Sequence, residues 1–270
     1  REGFAVQDTL TPDRLVVGVD RASDAEELAA VYAPVLAHGM PWVVVDLATA
    51  QLVKNAANAF LATKISFINA MAELCEATGA DVVALADAIG HDARIGRRFL
   101  QAGLGFGGGC LPKDIRGFMA RAEELKVDEA LYFLRDVDDI NRRRRRRAVE
   151  MTHELIGGAV TGARVAVLGA AFKPDSDDIR DSPALDVATT LHERGAKVRV
   201  HDPKALDNAR LTRPALTYCA TAFEACEGAD VVLHLTEWRE YREIDPAELG
   251  AVVAHRRILD GRNALDAARW

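Results

Sequence analysis

Cys110 follows three consecutive glycines, 107–109, and precedes Pro112, Lys113 and Asp114 in the stretch GFGGGCLPKD. A thiol attacks carbon as its thiolate, which a helix N-terminus or a nearby cation favours. Proline is well suited to the first helical position, so a helix is predicted to begin at Pro112. Cys110 then stands at the positive end of the helix dipole. Lys113 adds a cation, and Asp114 lies four residues beyond the thiol. A nucleophile with a carboxylate at hand suits covalent catalysis in which water later releases the product. The same letters also describe a tight glycine turn that holds a cysteine, and these residues alone leave both readings open.

A second pair, Lys54 and Asn58, shares one face of a helix by its spacing of four. An ammonium and a carboxamide together can hold an oxyanion or order a water; alone, such a pair is usually an ordinary solvated surface. The third feature is GAAFKPDSDDIRDSP, residues 169–183, between a predicted strand and a predicted helix. Doubly wound sheets bind ligands at such places. Gly169 permits close backbone approach, and Lys173 and Arg180 supply charge for phosphates. The spacing is not that of the GxGxxG fingerprint. Asp202, ending KVRVHD, stands where a ribose-binding acid is expected in a dinucleotide fold.

The elements that must position these groups are legible as an α/β pattern. RLVVGV, a helix from Ser23 to Gly39 with Ser23 as N-cap, and PWVVVD read as one strand–helix–strand unit. From Leu47 to Gly79 the chain has no proline or glycine until Gly79, which predicts one long helix. Helices are predicted over DVVALADAIG, RIGRRFLQAG, residues 112–125 and the stretch from Asp128 to Gly157. A complete doubly wound, Rossmann-like domain follows, with Ser182 and Pro183 starting a helix after ARVAVLG. The predicted domains are 1–46, a remnant of an N-terminal α/β domain; 47–157, helical; and 158–270.

Composition narrows the function classes. Of 270 residues, 49% are hydrophobic and 28% charged, with net charge −7, giving no reason to expect nucleic-acid binding. The run NRRRRRR, 141–147, reads as a solvated helix, because no aromatic residues interleave it for base stacking. No apolar run approaches the roughly 18 residues of a membrane span. The four cysteines form no CxxC pair, which disfavours zinc; Cys75, Cys219 and Cys226 read as small core residues.

Together, NAFLATKISFINAMAELCEATGADV, RIGRRFLQAGLGFGGGCLPKD, AFKPDSDDIRDSPALDV, LTEW and DGRN resemble the nucleotide-sugar dehydrogenases, over essentially the whole chain. The resemblance implies a cytoplasmic enzyme that oxidises the C6 alcohol of a nucleotide sugar to a uronic acid with two NAD⁺, through a thiohemiacetal and a thioester. UDP-glucose is the substrate implied first, with GDP-mannose or a related sugar as the alternative. The nucleophile falls on Cys110, the water-activating aspartate on Asp114, and the oxyanion-holding pair on Lys54 and Asn58. Glu2, Gln101, Phe106, Gly107, Phe172, Lys173 and Arg262 become substrate contacts, the glycines letting the ligand lie against the backbone. Arg94 would reach a neighbouring subunit's site in a homodimer built on the long helix. Lys113 and Arg180 would touch NAD.

The family usually reads GGSCFPKD, and here Gly109 and Leu111 replace the Ser and Phe. Leu111 also occurs in the members acting on GDP-mannose. The family's glycine-rich NAD-binding unit has no counterpart in these residues. The chain is therefore expected to be the C-terminal part of a longer enzyme, inactive alone, or else a non-catalytic module that dimerises and binds nucleotide sugar.

Overall fold

Two short runs of β-branched residues supply the first strands. The computed structural model describes residues 4–270, so Glu2 lies outside the described residues. A short helix, α1 (Ala5–Leu10), precedes the parallel strands β1 (Leu15–Gly18) and β2 (Trp42–Val45), with Leu15 opposite Trp42. A parallel pair needs a crossover, which α2 (Ala22–Val31) and α3 (Ala33–Leu36) provide. The single helix expected over 23–39 is thus two. Pro34 has no N–H to continue the ladder and its ring crowds the preceding turn. Ser23 is not the N-cap; Arg21 holds that position and its guanidinium donates to Asp24 at 2.7 Å.

The long helix α4 (Leu47–Thr78) forms as expected, 32 residues or roughly 48 Å at about 1.5 Å per residue. Asp46 starts it, accepting the Thr49 amide at 2.8 Å and the Thr49 hydroxyl at 2.7 Å. The chain divides into two compact units after Phe60. The first holds β1, β2 and the opening turns of α4, and the second holds everything beyond.

In the second unit α5 (Val82–Gly90) is capped by Asp81, which accepts the Val83 amide at 2.7 Å. The helix expected over 94–103 is absent. Gly96 and Phe99 both adopt φ above +60°, outside the α region. Side chains take carbonyls that a helix would use, Lys64 Nζ bonding Ile95 O at 2.9 Å and Arg97 bonding Leu100 O at 2.8 Å. After the glycine loop come α6 (Leu111–Glu124), a 3-10 turn (Asp128–Leu131) and α7 (Phe133–Ile156).

The rest is an all-parallel sheet with helical crossovers. Its elements are β3 (Arg164–Leu168), α8 (Pro183–Glu193), β4 (Lys197–His201), α9 (Leu206–Thr212), β5 (Thr217–Tyr218) and α10 (Ala222–Cys226), followed by β6 (Val231–His234), α11 (Arg239–Glu243), α12 (Pro246–Val252) and β7 (Ile258–Asp260). The strand order is β5-β4-β3-β6-β7. Strands are added to one side of β3 and then, from β6, to the other, so the strand order reverses between β3 and β6, the switch point where such sheets take ligands beyond their carboxyl ends. Those strands are buried through Val165, Ala166, Val167 and Val231, Val232, Leu233, as sheets covered on both faces require. Ser182 caps α8 as expected, accepting the Leu185 amide at 3.3 Å, with Pro183 beside it.

The arginine run corrects the reading of a solvated helix. Arg144 and Arg145 are buried, and their partners are Glu76, Asp181 and Asp186. A buried guanidinium must be ion-paired and hydrogen-bonded, and α7 turns these two inward along with Leu134, Val137, Asn141 and Ala148. Among the described residues no helix is long and apolar enough to cross a membrane.

Candidate functional site

The segment 102–108 is buried yet belongs to neither helix nor strand. Its peptide groups therefore need partners other than a ladder, and side chains from three directions supply them. From α4, Asn69 Oδ1 accepts the Gly103 amide at 2.8 Å. From α7, Asn141 accepts the Phe106 amide at 2.7 Å and donates to the Phe106 carbonyl at 3.0 Å, while Arg144 donates to Gly103 O at 3.3 Å. From beyond β7, Arg262 donates to Gly105 O at 3.2 Å and Asn263 to Ala102 O at 3.1 Å. Asn141 comes so close that a β-carbon on Gly105 would stand 3.0 Å from its Cγ, and Gly105 has φ +92°.

One face of this segment borders a cavity of about 980 Å³ in the second unit. Phe99, Phe106 and Phe172 give it flat apolar surface; Arg97, Arg98, Lys173, Arg242 and Arg262 give it positive charge. Such a lining suits a ligand that combines a planar ring with anionic groups. Phe172 and Lys173 come from the turn after β3 and Glu237 from the turn after β6, so the cavity lies at the switch point. Arg262 is fixed by donating to Leu235 O at 2.7 Å and lies 3.2 Å from Glu237. At its base, Asp260 accepts from the Arg262 amide and pairs with His234 at 2.9 Å. Burial pushes the Asp260 carboxyl up, but the hydrogen bonds from His234 and the Leu265 amide outweigh it and leave it below the usual carboxylate range.

Leu111 lines the same cavity, and Cys110 is the residue before it. Cys110 is exposed and occupies the N-cap of α6, whose first residue is Leu111 rather than Pro112. A β-carbon on Gly108 would stand 2.8 Å from the Phe172 ring, and one on Gly109 2.5 Å from Arg180 Nη1. Protein groups therefore fill the approach to both glycines, so packing explains them before any ligand does. Arg180 is held by Asp178 at 2.7 Å. Burial raises the Asp178 carboxyl, and the bonds to Arg180 bring it below its ordinary value. Asp114 is buried in the first turn of α6, its amide bonded to Cys110 O at 2.9 Å and its Oδ1 3.6 Å from Lys113 Nζ. Lys113 and Arg180, both largely exposed, suit an anionic cofactor by charge.

Residues 48–143 match the UDP-glucose/GDP-mannose dehydrogenase family, central domain, and residues 166–267 match the same family's UDP binding domain. The chain belongs to this family. It is 42% identical over 268 residues to a UDP-glucose 6-dehydrogenase of Rickettsia typhi, covering 98% of this chain and 61% of that protein. It is 38% identical over 275 residues to a UDP-glucose 6-dehydrogenase of Pseudomonas aeruginosa, covering 100% and 60%. A solved UDP-glucose dehydrogenase from the archaeon Pyrobaculum islandicum superposes with a TM-score of 0.90 at 38% identity, over 100% of this chain and 60% of that one. The chain thus spans about three fifths of the relatives it matches.

Within this dehydrogenase-family chain, the expected site residues fall into four places. Gln101, Phe106, Gly107, Phe172, Lys173 and Arg262 line one cavity. Cys110, Lys113, Asp114 and Arg180 gather at the start of α6. Lys54 and Asn58 lie on α4 in the first unit, Lys54 exposed and Asn58 half-buried. Arg94 is on the surface with its side chain 89% exposed, paired with Asp92 at 2.6 Å.

Asp202 is not a ribose-binding acid. It is 1% exposed, and its carboxylate accepts the amides of Ala170, Ala171, Lys204 and Ala205 and the Trp238 indole N–H. Both carboxylate oxygens are engaged in holding the turns after β3, β4 and β6. Sequence reasoning missed Asn141, Arg145 and Asp181. The signal for the first two was present in the helical spacing of 137, 141, 144, 145 and 148, which places them on the face of α7 that carries core residues.

Proposed function

We propose that this chain supplies the sugar-nucleotide site and the thiol chemistry of an NAD-dependent UDP-glucose 6-dehydrogenase. The cavity carries the reading: six of the expected substrate contacts line it, and so does Leu111, the residue after Cys110. Its aromatic and cationic lining suits a nucleoside diphosphate, and the relatives' names support glucose as the sugar. Residues 47–157 would form the helical dimerisation domain and 158–270 the nucleotide-sugar domain.

NAD, when bound, accepts the hydride in each of the two two-electron oxidations of C6. Lys113 and Arg180 are this chain's residues suited to contact it. Cys110 holds C6 through a sulfur–carbon bond at the aldehyde and acyl levels of oxidation. Asp114 takes a proton from the water that cleaves that bond, returning the thiolate and releasing the uronate. The resemblance gives Lys54 and Asn58 the task of stabilising the oxyanion, which their types and spacing suit. Homodimerisation is supported by Phe67 and Leu74, 49% and 58% exposed and seven residues apart on α4.

Residues 1–270 alone are proposed to bind the sugar nucleotide without forming NADH; the additional length of the relatives supports this. Calorimetric titration with UDP-glucose and GDP-mannose tests the site. Tighter binding of UDP-glucose is expected; preference for GDP-mannose would move the reading to the alternative substrate, and binding of neither would overturn it. NADH formation by this chain at the rate of the longer relatives would refute its inactivity.

A further inference from the structure

We propose that Arg145 and Asp181 are positioning residues that hold the ligand-facing loop in register with the helix bearing Cys110. The inference rests on the proposed sugar-nucleotide site for its binding consequence, and on the fold alone for its mechanical one. Arg145, on α7, donates through Nη2 to the Phe106 carbonyl at 3.1 Å and through Nη1 to Asp181 Oδ1 at 2.8 Å. The same Nη1 also reaches Asp186 at 2.8 Å on α8. The other Asp181 oxygen lies 3.5 Å from Arg116, on α6 two residues beyond Asp114. One carboxylate therefore joins the helix that Cys110 precedes as N-cap, the helix that clamps Phe106, and the turn that carries Arg180.

The backbone reinforces the junction. The Gly108 amide donates to the Arg180 carbonyl at 2.8 Å, and a β-carbon on Gly107 would stand 2.8 Å from Pro183 Cδ. Asp181 adopts φ +47°, a conformation aspartate and asparagine tolerate better than most residues. Arg145 is buried and is used as a planar fork with several acceptors, which lysine cannot reproduce. Removing the charge on Asp181 should leave the fold but loosen the Phe106–Gly108 backbone against α6.

The test compares Asp181→Asn, Arg145→Lys and Arg143→Gln. Arg143 lies on the same helix and pairs with Glu73 at 3.0 Å. Hydrogen exchange of peptides covering 101–109 is measured on the unliganded protein, and UDP-glucose affinity by calorimetry. Asp181→Asn and Arg145→Lys should speed exchange in 101–109 by about tenfold and weaken UDP-glucose by a similar factor, with helical peptides of α4 unchanged. Arg143→Gln should do neither. Unchanged loop exchange in both variants, or equal acceleration in Arg143→Gln, overturns the proposal. If the wild type binds no UDP-glucose, the exchange result still decides the positioning role, while the proposed function fails separately. Should Arg145→Lys fail to fold, Asp181→Asn alone decides, because asparagine keeps the shape and the backbone preference.

Discussion

The guanidinium of Arg180 lies against Gly109, its Nη1 2.5 Å from where a β-carbon would stand, one residue before Cys110. Any side chain at 109 must displace that cation. Gly109→Ser is therefore expected to move Arg180 off the loop and to cost under about 1 kcal/mol, because a largely exposed guanidinium can swing aside. Urea unfolding checks this, and a loss above about 2 kcal/mol would show that the guanidinium is held where it lies.

Cys110→Ser tests the covalent route in a dehydrogenase-competent protein containing this chain. The hydroxyl cannot carry the acyl intermediate as a thiol does, so uronate release should fall by at least about 10³-fold. Uronate production at the wild-type rate would remove Cys110 from the mechanism.

Phe67→Asp with Leu74→Asp places two charges on the exposed apolar face of α4. Sedimentation should show a dimer for the wild type and a monomer for the double variant. A wild-type monomer at micromolar concentration would refute the assembly.

Acid should destabilise the protein through His201. Burial holds its imidazole below the usual 6.5, against the opposing pull of Asp202 and Glu224. Its neutral form is thus favoured in the fold, and the unfolded chain takes up the proton first as pH falls. The contribution is fully present above about 6.5 and is lost as pH drops through the lower folded value. The thermal midpoint should fall between pH 7 and 5, and less so in His201→Gln. Equal slopes for the two proteins would exclude His201 as the cause.

The parallel sheet was readable because VAV, VRV and VVL are short β-branched runs followed by turn residues, and because Ser182-Pro183 is an unambiguous helix start. The grouping of Cys110, Lys113 and Asp114 at the start of α6 was readable because they lie within five residues; their chemical roles are proposals. The loop before it was not. Its conformation is set by Lys64, Asn69, Asn141 and Arg262, which are far away in sequence, and local propensity over RIGRRFLQAG favoured a helix instead. The arginines misled for a related reason. Composition marks such a run as surface, whereas burial depends on which carboxylates the fold delivers opposite each turn, here Glu76, Asp181 and Asp186. Asp202 was located correctly at the end of β4, but its lone pairs are filled by amides that no sequence pattern announces.

Of the four cysteines, Cys75, Cys219 and Cys226 are buried and Cys110 is exposed. Burial also pushes the Cys226 thiol up to about 12, far from reactivity at neutral pH. The folded protein thus presents a single address to a maleimide. A fluorophore or a solid support could be attached at the start of α6, one residue from the cavity-lining Leu111, with one-to-one stoichiometry and no engineering of the remaining thiols.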